Sequence, residues 1–318
     1  MEGSKIGWTD NTFNPWMGCT KVSPACKHCY AEFSTPVRTQ GIVWGKGMKR
    51  ERTGEAYWHH PRVWNKKAPG SRVFCASLAD WLDDEVPIEW LADLLELIAD
   101  CPNLNWQMLS KRPENWKTRL QAAFATVNPG HTAFQMIGDW LQGKPPRQIW
   151  AGTTVENQEY ADRRIPDLLN IPARIRFLSI EPMLGPIDLT NVAPAVDEGL
   201  DIGFDCLRGC LHGQIEEDWS EDRVHWVITG GESRPTNPRE ARPFRIDHAN
   251  AVMMQCADAK VPVFMKQMGH NAVLKSNGRE RPMQFTGKGD NIDQWPVWMQ
   301  IQDNPDLTTV LPQCELGL

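Results

Sequence analysis

Little in this sequence marks it for export, for a membrane or for disulfide bonding. No apolar run approaches the roughly 18 residues that a membrane span needs, and the opening MEGSKIGWTD lacks the basic and apolar regions of a secretory signal. A cytoplasmic protein with no membrane partner is therefore expected. The nine cysteines form an odd, irregularly spaced set, which speaks against a disulfide framework and for metal ligation plus scattered buried thiols. An excess of positive charge is also lacking: the formal net charge of −6 excludes a generic, whole-surface attraction to nucleic acid. The balance is uneven along the chain. Between Lys46 and Arg72 eight Lys or Arg stand against two Glu, interleaved with Tyr57, Trp58 and Trp64, whereas acidic residues collect between Asp197 and Asp222. The basic stretch reads either as a track for phosphates with stacking rings or as a solvated face over core tryptophans.

What the chain does have is three cysteines near its start. Cys19, Cys26 and Cys29 stand at C-x6-C-x2-C spacing, and no fourth cysteine follows until Cys75. Two metal readings are open. A structural zinc needs four closed ligands, so His28, His59 or His60 would have to complete a Cys3His set. An iron–sulfur cluster on three thiolates leaves one iron open to a small molecule. The motif directly follows the first expected strand, where the active site of a β/α barrel belongs, and this position favours the cluster.

At 318 residues and 41% hydrophobic content, the chain has ample material for a buried core. Short β-like runs at 72–77, 105–110, 148–153, 175–180, 224–229 and 261–265, with 12–17 as a first strand, alternate with helical patterns. Ile88, Leu91, Leu94, Leu95 and Ile98 recur at three-and-four spacing, as do Ala249, Val252, Met253 and Cys256. Strands that are apolar throughout and joined by helices imply a parallel sheet buried on both faces. The expected fold is α/β, a partial or complete parallel β/α barrel in a single domain over 1–318. Insertions are expected at about 122–147 and 191–223, and an irregular segment from about 269 to 318 is expected to pack back through Trp295 and Trp298.

In such a barrel, polar residues after each apolar run ring the mouth. They are Ser77 and Asp80, then Ser110 to Arg112, Thr153, Thr154, Glu156 and Asn157, Ser179 and Glu181, Gly230 to Ser233, and Lys266 with Gln267. Each alone also fits a helix cap or a loop contact; their coincidence over six strands points to a site. Glu181, before Pro182, is expected to project from an extended strand end. The paired glycines before Glu232 would let a ligand approach the backbone, with the carboxylate receiving an ammonium or a proton. Cys75, inside a strand, reads as a packed thiol rather than a hydrogen-atom donor. Cys206, Cys210 and His212 make a poor case for a second metal site.

The segment CKHCYAE at the top of a first strand, followed by repeated βα units, resembles radical SAM enzymes. Their usual spacing is C-x3-C-x2-C; the first gap here is six residues. The stretches KIGWTDNTFNPWMGCTKVSPACKHCYAE, LSKRPENW, GTTVENQEYADRRIPDLL, RFLSIEPMLGPIDL, WVITGGES, ARPF and VPVFMKQMG are similar to a phage-associated family with a three-cysteine motif. CYAE is also similar to the cluster loop of spore photoproduct lyase. The resemblance implies a radical SAM type of barrel, a 4Fe-4S cluster on Cys19, Cys26 and Cys29, and S-adenosylmethionine cleaved to a 5′-deoxyadenosyl radical. It places His28 and Tyr30 beside the open iron. Ser77, Thr153, Glu156 and Ser179 are candidates for binding the cofactor, and Glu181, Glu232 and Lys266 for catalysis. The implied partners are an external electron donor of the flavodoxin or ferredoxin type and a DNA or nucleotide substrate, in a host cytoplasm if the chain is phage-encoded. Two alternatives stand beside base modification: a radical enzyme on a free nucleotide, amino acid or peptide, and a non-catalytic, zinc-stabilised adaptor.

Overall fold

Seven parallel strands organise the chain. The computed structural model describes residues 3–193, 203–212, 220–233, 237–276 and 278–307. The main-sheet strands, numbered along the chain, are β1 (Asn11–Phe13), β2 (Arg72–Cys75), β3 (Asn105–Ser110), β4 (Ile149–Thr154), β5 (Ile175–Ile180), β6 (Trp226–Gly230) and β7 (Val263–Gln267). They pair in that order, every neighbour parallel. Parallel strands laid down in sequence need a crossover at each step, and crossovers of one hand curl the sheet into a half-barrel. The covering helices are α1 (Ile88–Asp100), α2 (Trp116–Phe124), α3 (Thr132–Leu141), α4 (Gln158–Leu169) and α5 (Ile246–Asp258). α1 buries Leu91, Leu94, Leu95 and Ile98, and α5 buries Ala249, Val252, Met253 and Cys256, as their spacing predicts. Among the described residues no helix is long and apolar enough to cross a membrane.

Alternation along the strands decides what the inside of the half-barrel holds. Phe74, Gln107, Trp150 and Ile175 align across β2 to β5, and Leu109, Gly152, Phe177 and Trp226 align one layer higher on β3 to β6. These rings meet Trp8 and Phe264 in one buried cluster. Trp8 lies 4.6 Å from Phe74 and 6.2 Å from Trp226, centroid to centroid, so the segment before β1 closes the bottom of the half-barrel. Thr154, Ser179, Ile228 and Phe264 form the next layer, and above it the inward positions turn polar. The outer edge of β7 is covered by the chain near 301–303, through Met265 N–H to the Ile301 carbonyl and Asp303 N–H to the Val263 carbonyl.

The first strand and the last segment depart from expectation, and the two insertions gain detail. The first strand ends at Phe13, because Pro15 has no N–H to continue a ladder; Trp16–Met17 instead pairs antiparallel with Glu51–Arg52. The stretch 122–147 lies between β3 and β4, and within its Gly- and Pro-rich flanks is α3, whose Ala133, Ile137 and Trp140 are buried. Trp140 stacks on Trp81, and its indole N–H donates to the Pro172 carbonyl at 2.7 Å. The stretch 191–223 includes a short hairpin of Phe204–Asp205 and Cys210–Leu211; residues 194–202 and 213–219 lie outside the described residues. The segment from 269 contains Ala272–Ser276 and Arg279–Pro282, paired antiparallel and joined by Phe244–Arg245 into a three-stranded sheet. Trp295 packs inside it as expected, whereas Trp298 is 47% exposed.

The plug yields a test. A Cβ on Gly152 would stand 2.3 Å from Cζ of Phe177, so Gly152→Ala is expected to destabilise the fold by about 1–3 kcal/mol. Combining it with Phe177→Leu should recover part of the loss, as read from urea midpoints.

Candidate active site

The loop between β1 and β2 carries the three cysteines to the C-terminal mouth of the half-barrel. Gly18 turns the chain there with a φ of 104°, a conformation that disfavours other residues, and its N–H donates to the Leu78 carbonyl. Cys19 follows the turn. Cys26 sits in a 3-10 turn at Pro24–His28, and Cys29 directly follows it. All three are free thiols, and all three line one open cleft with about 800 Å³ of empty space, counting the part that opens to solvent. Trp8 and Phe74 of the aromatic cluster also line it.

Buried ion pairs hold this loop from several sides. Glu156, fully buried at the end of β4, accepts the Ala25 N–H at 3.2 Å and pairs with Arg164 at 3.0 Å. Glu232, after β6, accepts from His28 Nδ1 at 3.0 Å and pairs with Arg242, which also donates to the Pro24 carbonyl at 2.8 Å. Near Cys19, Arg112 donates to its Sγ at 3.6 Å and to the Thr20 carbonyl at 2.8 Å, while pairing with Asp80 at 3.0 Å. Arg50 fills every donor it has: Asp83, Glu85, the Thr20 hydroxyl and the carbonyls of Gly45 and Met48. Such pairs tolerate burial best when each charge and donor is matched, as at Arg50.

Thiol electrostatics differ along the loop. Burial pushes Cys19 up to about 12, with Asp80 adding to the effect and Arg112 opposing it. Burial also raises Cys29, against the pull of Lys111. At Cys26 burial acts upward, but Lys111 and hydrogen bonds at Val22 and Ser23 hold the thiol below its ordinary value. For Glu232 the hydrogen bonds from Arg242 and His28 outweigh burial and keep the carboxyl below the usual range.

Of the residues singled out by sequence, Tyr30, Ser77, Ser179, Glu181 and Lys266 share the cleft with the cysteines. Glu181 and Lys266 pair at 3.0 Å across β6. His28 and Glu232 line an adjoining cavity together with Cys29 and Tyr30. Thr153 and Glu156 are placed elsewhere. Thr153 occupies an outward position of β4 and donates to the Ser110 carbonyl at 2.8 Å, while Glu156 supports the loop from beneath. Glu232 likewise has its carboxylate engaged by His28 and Arg242. The glycine pair admits protein rather than ligand: a Cβ on Gly230 would meet Glu181 Oε1 at 2.9 Å, and one on Gly231 the Met268 carbonyl at 2.2 Å. Thr154, Lys111 and Arg112, named among the strand-end residues but given no role there, also line the cleft. Strand parity identifies Thr154, which shares the inward face with Gly152.

Half of the basic stretch is tied up internally, while Lys46, Lys49, Lys66 and Lys67 are exposed. Arg52 pairs with Asp93, Arg62 with Asp100 and Arg72 with Asp10, and Arg50 is buried as described. Trp58 and Trp64 belong to the core. His60 packs between Tyr57 and Trp64, and neither it nor His59 lines the cleft. Cys75 is fully buried in β2, and burial raises its thiol far above the ordinary value. Cys206 and Cys210 lie in and beside the hairpin, with His212 Nδ1 on the Thr190 carbonyl at 2.7 Å. Among the described residues no group of three or more His, Cys, Asp or Glu is arranged to hold a single metal ion. Arg50→Ala, which strips the partner from buried Asp83, is expected to cost about 3–5 kcal/mol. Lys49→Ala, at an 80%-exposed side chain, should stay within about 0.5 kcal/mol; urea unfolding of both variants checks the contrast.

No curated protein and no solved structure matches the chain. A family model matches residues 3–296, and the chain belongs to that family, described as Protein of unknown function (DUF5131).

Proposed function

We propose that this protein is a radical SAM enzyme, in which Cys19, Cys26 and Cys29 hold a 4Fe-4S cluster and S-adenosylmethionine binds beside it. The observation that carries the reading is the placement of three free thiols, from one short loop, around one open cleft at the C-terminal mouth of a parallel half-barrel. The donor set fits a cluster better than a structural zinc. A closed structural zinc needs four donors; His59 and His60 lie away from the cleft, and His28 lines the adjoining cavity rather than the cleft itself. Three cleft-lining cysteines with no fourth protein donor beside them offer three ligands to an iron–sulfur core, with one iron left open. When bound, the cluster and its cofactor supply reductive cleavage of S-adenosylmethionine and hydrogen abstraction from a substrate.

The chain's own part is to position and to exclude. Glu156 and Glu232 fix the loop that carries Cys26 and Cys29, and Arg112 fixes the segment of Cys19. Lys111 and Arg112 set positive charge beside the thiols. The aromatic plug bars water from below. Glu181 and Lys266 present a carboxylate and an ammonium on the cleft wall, within reach of a bound molecule. An external electron donor of the flavodoxin or ferredoxin type is required.

The substrate reading turns on the basic stretch. Arg50, Arg52, Arg62 and Arg72 there are paired with carboxylates and Trp58 and Trp64 are buried, while Lys46, Lys49, Lys66 and Lys67 are exposed. A nucleic-acid base approached over those lysines, and a free nucleotide, amino acid or peptide drawn into the cleft, are the two substrate readings. Anaerobic reconstitution tests the proposal. The expected result is about four iron and four sulfide per chain, with 5′-deoxyadenosine formed from S-adenosylmethionine under dithionite and both lost in Cys26→Ala. One zinc per chain with no iron uptake would leave a metal-stapled binding protein.

A further inference from the structure

Three donors in the cleft have nothing in the protein to bond. The Thr154 hydroxyl is buried, 1% of the residue being exposed, lines the cleft and has no hydrogen-bond partner. Ser179 is its direct register partner on β5 and also lines the cleft, with no hydrogen bond to protein from its hydroxyl. Lys111 stands on the other side of Thr154, just past the Ser110–Thr153 pairing. The other basic side chains lining this cleft are satisfied, Arg112 by Asp80 and Lys266 by Glu181, whereas the Lys111 ammonium has no carboxylate partner among the described residues.

A buried hydroxyl without a partner is costly in a free protein, and a row of hydroxyl, hydroxyl and ammonium, in a cleft whose carboxylates Asp80 and Glu181 are paired with Arg112 and Lys266, complements an oxyanion. We infer that Lys111, Thr154 and Ser179 form an oxyanion subsite in the cleft, taking a carboxylate or phosphate group of a bound ligand. The row spans three adjacent strands just above the plug. The subsite shares the cleft of the proposed radical chemistry but rests on the geometry of the metal-free chain, so the two readings fail separately.

The test uses the full chain without metal, titrated calorimetrically with inorganic phosphate and with acetate at low salt, beside thermal unfolding of each variant. Thr154→Val should unfold at a higher temperature than the parent, because it removes the unpartnered hydroxyl, and yet bind the anion about tenfold more weakly. Lys111→Met should weaken binding by about tenfold or more while still taking up iron on reconstitution. Displacement of bound phosphate by S-adenosylmethionine assigns the subsite to that molecule's carboxylate, and displacement by a nucleoside monophosphate alone assigns it to a substrate phosphate. Either supports the inference. It is overturned if the parent binds neither anion, or if Thr154→Val leaves affinity unchanged. It is equally overturned if Lys111→Met loses iron and keeps its anion affinity, since the ammonium then serves the thiolates.

Discussion

The two-residue period of the parallel strands is the constraint on which the candidate site depends. Because neighbouring strands are in register, one choice of inward face at Phe74 propagates through Gln107, Trp150 and Ile175 and then upward layer by layer. The lower layers carry rings that fill the interior, so no ligand can enter from below. The upper layers carry Thr154, Ser179, Glu181 and Lys266, with Lys111 beside them, so polar chemistry is confined to the mouth. A shift of one residue in β5 would exchange Ser179 for Ile180, and the row of hydroxyls shared with Thr154 would be broken.

Above that floor, carboxylates and guanidinium groups locate the cysteine loop. A loop with little regular structure has few backbone bonds of its own to hold it, and here the missing rigidity is supplied by charge. Glu156 reaches up from β4, Glu232 with Arg242 from β6, and Arg112 from β3. Each anchor comes from a different strand, so the positions of the thiols are tied to the sheet itself. The acidic residues that ring the mouth therefore divide into two kinds: those spent on holding the loop, and Glu181, which faces the cleft with Lys266.

Much of this was legible in the sequence, and the parts that were not have physical reasons. The strands at 105–110 and 175–180 are found where their apolar runs lie, and the helix stripes of α1 and α5 are buried as spaced. Apolar periodicity reports burial directly. It is silent on which partner a polar residue takes, and so Thr153 and Glu156 look like site residues until register and ion pairing are known. Arg50 likewise counts as surface charge in a sequence, although it is 3% exposed beneath the loop of Gly45 and Met48. Gly230 and Gly231 signal close approach, but only the structure tells that the approaching atoms belong to Glu181 and Met268. The helix at Thr132–Leu141 is masked by the glycines and prolines that flank it.

The central claim is that the three thiols hold a cluster with one iron open to a cofactor. Electron paramagnetic resonance of the reconstituted, dithionite-reduced protein, recorded with and without S-adenosylmethionine, tests it most directly. The account predicts a reduced 4Fe-4S signal whose g values change when the cofactor is added. A cluster signal indifferent to the cofactor, or no cluster signal at all, would contradict it.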